Sequence, residues 1–215
     1  MGDKVHHYTG ADADIDWDGS RCIHAAECIR CVPAAFDTRA RPWIQPDNGD
    51  VAALAEAVNG CPSGALSMRY ADGTSAMAVP ETNTCLVNAN GPYHFRGRLT
   101  LARFDDTLAE DTRMALCRCG ASQNKPFCDL SHRKAGFAHP GTLPAAKPAP
   151  ADTDLAAPLR VTATKDGPLQ CRGPLTLRDG AGTTAFVDAV YLCRCGGSGN
   201  KPYCDGTHRK IGFTG

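Results

Sequence analysis

The chain has 215 residues, 23 Lys and Arg balanced by 23 Asp and Glu, a hydrophobic fraction of 42%, and 12 cysteines. Zero net charge argues against a dedicated nucleic-acid or anionic-membrane binder, which relies on clustered positive charge, and no apolar run approaches the roughly 18 residues of a membrane helix. The opening stretch, with His6 and His7, has no apolar signal core, so a soluble cytoplasmic protein is expected, and cysteines at this density in a reducing compartment point to metal ligands rather than disulfides.

The zero conceals two opposed halves. Residues 1–84 hold 6 basic and 12 acidic residues, and residues 85–215 hold 17 and 11. Two modules with these bounds are expected, and their opposite charge predicts a salt-dependent attraction between them.

In the first module, Cys22-Ile23-His24-Ala25-Ala26-Glu27-Cys28-Ile29-Arg30-Cys31 precedes a distant Cys61-Pro62. A bacterial ferredoxin run is C-x2-C-x2-C with a remote Cys-Pro supplying the last thiolate. Here the middle position is Ala25, so Cys22, Cys28 and Cys61 stay in register for three corners of a cubane. Cys31 could reach the fourth corner, His24 could stand in, or the corner iron could be missing, leaving [3Fe-4S]. Val51, Leu54, Ala55 and Val58 recur at helical spacing behind Asp50, which predicts a capped helix over Asp50 to Asn59 with a core face. A strand over Ala65 to Tyr70 closes a small α+β domain. This stretch, with Arg41-Pro42-Trp43-Ile44, resembles the divergent single-cluster ferredoxin domain, whose label is a [4Fe-4S] cluster but whose pattern guarantees three cysteines.

The second module contains a repeat. Gly91-Pro92-Tyr93 aligns with Gly167-Pro168-Leu169, and the register holds without a gap to Gly136-Phe137 and Gly212-Phe213, with about half the positions identical. The copies span 85–139 and 161–215. A Pro/Ala-rich connector over 140–160 is expected to be extended and semi-rigid. Each copy reads as a Gly/Pro turn, a strand ending Leu-Thr-Leu, an apolar approach, a cysteine cluster and a short helix. Neither has enough large apolar residues for a core of its own, so the copies are expected to pack as a pseudo-twofold pair within a monomer.

The clusters follow C-x-C-x8-C-x3-H twice: Cys117, Cys119, Cys128 and His132, then Cys193, Cys195, Cys204 and His208. Three thiolates and an imidazole suit zinc or an iron-sulfur cluster. Cys-x-Cys can hold one iron of a binuclear cluster, leaving the later Cys and His for the other. Asp129 and Asp205 are placed to cap a helix that carries the His in its first turn. Both segments resemble the CDGSH-type iron-sulfur (NEET) family, whose motif C-x-C-x2-[ST]-x3-P-x-C-D-G-[SAT]-H implies a [2Fe-2S] cluster on three Cys and one His. The second copy fits throughout; the first departs at Leu130, where the family has Gly and a positive φ would strain the turn. Two motifs in one chain resemble the tandem class, in which the copies form internally the β-capped pair that single-motif members make as homodimers. The fold class implied is α+β: a ferredoxin-like domain, then a tandem CDGSH domain with a β-rich cap and short cluster-binding helices.

Outside the clusters, Cys85 and Cys171 read as buried apolar thiols. His6, His7, His94 and His139 read as surface residues, and Lys125 and Lys201 as either solvated or in contact with cluster sulfur or a partner. A neutral imidazole in place of a thiolate should raise the potential, and its protonation should loosen the cluster in acid. The leading expectation is an electron carrier serving a redox partner protein, ahead of storage, sensing or transfer of clusters to an apo acceptor, and ahead of a structural zinc module. No nucleophile-base set or nucleotide loop stands out, so no substrate turnover is expected.

Overall fold

The computed structural model describes residues 5–104 and 106–215. They form two units that divide after Ala78. The boundary falls earlier than the change in charge suggested, because the side chain of Asn83 is built into the second unit, where it donates to Ala157 O at 2.8 Å and Pro174 O at 3.0 Å.

The first unit is a three-stranded antiparallel sheet, β1 (Val5–Tyr8), β2 (Ala13–Asp18) and β3 (Leu66–Tyr70), in that order, with helices α1 (Glu27–Cys31) and α2 (Val51–Gly60) between β2 and β3. Alternation decides the faces: Ala13 and Ile15 on β2 and Leu66 and Met68 on β3 point into one core. The helix start is dictated by Asp50, whose carboxylate accepts from the N–H groups of Ala52 and Ala53, both at 3.0 Å. Such a cap stabilises by about 1 kcal/mol. Leu54, Ala57 and Val58 then bury against Phe36 and Ile44.

In the second unit the strands are β4 (Thr84–Val87), β5 (Tyr93–Arg103), β6 (Asp106–Leu116), β7 (Leu159–Ala163), β8 (Leu169–Arg178) and β9 (Thr184–Leu192). Helices α3 (Ser131–Lys134) and α4 (Thr207–Lys210) follow β6 and β9. Each copy contributes one short strand and one hairpin, β4 with β5–β6 and β7 with β8–β9. The long strands are kinked where Gly97 (φ +146°) and Gly173 (φ +112°) interrupt the ladder. Before the kink, β5 pairs antiparallel with its own β4; beyond it, β5 pairs parallel with β7 of the other copy. β8 does the same with β7 and β4. The ring β4-β5-β7-β8 closes into a small barrel, which leaves these strands no open edge. A Cβ at Gly173 would lie 2.5 Å from Pro158 O, so the close approach of the chain entering β7 also requires glycine there.

The barrel interior is one apolar cluster drawn from both copies, including Tyr93, Phe95, Leu101, Met114, Leu169, Leu175, Leu177 and Leu192. Cys85 and Cys171 are buried in it, as small apolar side chains would be. Burial pushes both thiols well up from the usual range. The connector is less independent than its composition suggests. Leu143 is buried with its N–H on Asp179 Oδ2 at 3.1 Å, and Lys147 is bonded to the β9 segment through Thr184 O and Phe186 N.

Candidate metal centres

All twelve cysteines are described, and all are thiols. In the first copy, β6 delivers Cys117 and Cys119 to the barrel's end, and a loop returns Cys128 to pair with it, Cys128 N–H on Ala115 O at 2.9 Å. Ser122 holds that loop: its Oγ donates to Phe127 O at 2.7 Å and accepts from Asn124 N–H at 3.0 Å. Asp129 bridges it to the helix, accepting from Gln123 N–H at 2.8 Å and Ser131 N–H at 2.9 Å. Ser198 and Asp205 repeat these contacts in the second copy. The residue in the helix-capping position is Leu130 (φ +69°) or Gly206 (φ +84°), one residue beyond the aspartates assigned from the sequence. Leu130 therefore carries the strain of a left-handed non-glycine residue, about 1–2 kcal/mol.

The donors come in pairs. Cys117 Sγ lies 3.8 Å from Cys119 Sγ, Cys193 Sγ lies 3.8 Å from Cys195 Sγ, and Cys128 Sγ lies 3.6 Å from His132 Nδ1. Two thiolates about 2.3 Å from one tetrahedral centre stand about 3.8 Å apart, and a thiolate with an imidazole nitrogen about 3.5 Å apart. Among the described residues no three His, Cys, Asp or Glu side chains converge to hold one ion. Each of these pairs has the spacing of two donors on one metal ion. His208 differs: its ring donates from Nδ1 to Asp166 O at 2.8 Å, and it is more open to solvent than the buried His132.

The thiols need help to ionise. Burial raises Cys128 to about 11 and Cys193 to about 11, and within the 117/119 pair one thiol ionises readily only by taking the other's hydrogen bond. Backbone N–H groups of Ala121, Leu130 and Gly197 point at Cys119, Cys128 and Cys195 sulfur at 3.4 Å, and Gly206 N–H points at Cys204 at 3.5 Å.

Two residues that the sequence reading passed over complete the electrostatics. Arg118 and Arg194, the central residues of the two C-R-C segments, are each only 1% exposed. Arg118 donates to Gly91 O at 2.9 Å, Asn88 O, and His139 Nδ1 at 3.0 Å, and packs on Phe137. Arg194 donates to Gly167 O at 3.0 Å, Thr164 O at 2.6 Å and Gly215 O at 2.9 Å, and packs on Phe213. Among the described residues neither forms an ion pair with an Asp or Glu side chain. Their ionisable neighbours come from both copies: Tyr93, Cys193, Cys85 and Cys119 for Arg118, and Cys117, Asp166 and Cys195 for Arg194, where the Arg103 charge opposes them. An uncompensated buried cation costs several kcal/mol; an anionic cluster would offset it. The signal was the Arg repeated between two ligands.

The two centres stand back to back. Cys119 and Cys195 form an antiparallel bridge across the copies. Tyr93, from the first copy, donates its hydroxyl to Cys193 O at 3.0 Å and Pro202 O at 3.1 Å in the second. Lys201 donates to Ser198 O and the Lys125 ammonium sits over the Phe213 ring, so both lysines brace the loops. His139 and His94 are not the surface residues expected. His139 Nδ1 also accepts from Gly141 N–H at 3.0 Å, and burial depresses His94 to about 4.

In the first unit, Cys22, Cys28 and Cys61 line one cleft with His24, Trp17 and Trp43. Burial, with Cys61 and Cys22 close by, raises Cys28 to about 11. The indole N–H of Trp17 is buried there without a partner among the described residues, as a donor to cluster sulfide would be. Cys31 is exposed at the end of α1 and is not among the cleft-lining residues.

Residues 8–71 match the family described as a divergent 4Fe-4S mono-cluster, and residues 90–133 and 166–209 match the iron-binding zinc finger of CDGSH type. The uncharacterized protein YjdI of Escherichia coli, from strain K12 and from O157:H7, is 38% identical over 63 residues, which is 29% of this chain and 83% of YjdI. No solved structure matches.

Proposed function

The chain belongs to the CDGSH-type iron-sulfur proteins, here with a divergent single-cluster ferredoxin segment ahead of two CDGSH segments, and from this premise we propose a one-electron carrier with three centres. Cys117, Cys119, Cys128 and His132 would hold one [2Fe-2S] cluster, and Cys193, Cys195, Cys204 and His208 the other. Cys22, Cys28 and Cys61 would hold three corners of a ferredoxin-type cluster. Such clusters supply one-electron redox chemistry. The paired donor spacing in the CDGSH segments carries this reading. Arg118 and Arg194 supply compensating positive charge, and the N–H groups aimed at sulfur lower thiolate basicity. The domain types are carriers rather than sites of substrate turnover, so the partner would be a redox protein. Among the described residues no helix is long and apolar enough to cross a membrane.

A second reading, transfer of the clusters to an apo acceptor, is favoured by one observation. His208 is accessible and has the Asp166 carbonyl as an alternative partner. Iron and sulfide analysis of the purified chain, with EPR in both oxidation states, tests the main reading. Stoichiometric sulfide and reducible clusters are expected; zinc without sulfide would overturn it. Reversible reduction without loss of iron to an apo ferredoxin would favour the carrier over the donor.

A further inference from the structure

The N-terminal centre has three thiols for four corners, and the structure separates the candidates for the last. Ala25, which stands where a ferredoxin has its second cysteine, offers no donor. Cys31 is three residues beyond Cys28 on α1 and is not among the residues lining the cleft. His24 does line it. The backbone is arranged to put it there. Ile23 is buried and anchors the loop, while His24 (φ +51°) and Ala26 (φ +62°) both take left-handed conformations that L-residues adopt at a cost. The loop thereby turns between Cys22 and Cys28 with an imidazole at the mouth of the cleft, and His24 is solvent-exposed.

We propose that His24, and not Cys31, is the fourth ligand of the N-terminal cluster, making it a [4Fe-4S] centre with three thiolates and one imidazole. The inference rests on the reading that Cys22, Cys28 and Cys61 hold a cluster. All three centres would then carry three Cys and one His, and the imidazole corner of this one faces solvent. Neutral imidazole is also the corner most readily surrendered, so when a one-electron oxidant takes up the electron, Fe2+ would leave from that corner.

The test uses the full chain, purified without oxygen, in a His132→Cys, His208→Cys background so that no other imidazole ligand contributes. Oxidised [4Fe-4S] and [2Fe-2S] clusters are EPR-silent, whereas oxidised [3Fe-4S] is not. The background protein should be silent when oxidised and, when reduced, should show strongly coupled nitrogen by pulsed EPR. Adding His24→Ala should abolish that coupling and, when ferricyanide is added to take the one electron given up with each Fe2+, release about one iron per chain and produce the oxidised three-iron signal. Adding Cys31→Ser should change none of these, and His24→Cys should keep four irons without nitrogen coupling. Three results overturn the proposal: a three-iron signal from Cys31→Ser alone, the same signal in full from the background protein, or nitrogen coupling that survives His24→Ala. Iron limited to the two binuclear clusters would instead remove the underlying reading. Far-UV circular dichroism on each variant separates loss of a ligand from loss of the fold.

Discussion

Replacing Gly120 with Ala should disturb the centre of the opposite copy. Gly120 has φ +80°, and a Cβ there would lie 2.5 Å from Cys195 O, 0.9 Å inside a 3.4 Å van der Waals contact, and 2.9 Å from Cys195 C. The obstacle is backbone, so no side chain can swing aside. The left-handed conformation costs an alanine about 1–2 kcal/mol, and forcing two packed backbones apart costs roughly 1–3 kcal/mol more. The sum, about 2–5 kcal/mol, is a large part of the 5–15 kcal/mol typical of a domain. Gly136→Ala is the control. Its φ is +62° and its Cβ would meet nothing within 4 Å, so it isolates the conformational cost. Guanidinium unfolding of the second unit should place Gly120→Ala at least 1 kcal/mol below Gly136→Ala. Because the displaced carbonyl belongs to Cys195, acid bleaching of the second centre should also accelerate. Equal stabilities of the two variants, with unchanged bleaching, would refute the back-to-back packing.

Tyr93→Phe removes the hydroxyl that donates to Cys193 O and Pro202 O; a loss of about 1–3 kcal/mol is expected, with EPR broadening confined to the second centre, since the equivalent of Tyr93 in the repeat is Leu169. On acidification the second centre should bleach before the first, because His208 is accessible and has the Asp166 carbonyl as an alternative partner while His132 is buried. His208→Cys should abolish the faster phase and His132→Cys the slower, each lowering its centre's potential in a redox titration; unchanged acid lability in both would sink the ligand assignment. His94 is held neutral by burial, with the Arg96 charge adding to the effect, at about 4 against 6.5 when unfolded. A depressed pKa means that its contribution is complete above pH 6.5 and is lost as pH falls toward 4, up to about 3 kcal/mol; His94→Gln should flatten the fall in urea midpoint between pH 7 and 5.

The local features were legible because local chemistry determines them. Cysteine spacing marked the three candidate centres, the repeat marked the pseudo-twofold unit, and Asp50 with its periodic apolar residues marked α2 to within a residue. What was not legible depends on distant neighbours. Alternation in Tyr93 to Leu101 shows that one face is buried, but not that half the strand pairs with the other copy. His94 and His139 carry no ligand spacing, and only the fold reveals that one is half-buried and that the other braces Arg118. Arg118 looked like a linker between two ligands because burial of a charge is invisible until its thiol neighbours across the copies are placed. His24 and Cys31 both lie within four residues of Cys28, and only the fold shows that His24 lines the cleft while Cys31 is not among its lining residues.

The closed ring of exchanged strands has a consequence for inheritance. Where identical subunits build such a ring, every substitution is made twice and both centres change together. Here both halves are encoded in one gene, so each can drift alone while remaining interlocked with the other. Leu130 opposite Gly206, Tyr93 opposite Leu169, and the buried His132 opposite the accessible His208 are such divergences. Fusion thus lets the two Cys3His sites differ in turn chemistry and in exposure of the histidine while the strands around them stay interlocked.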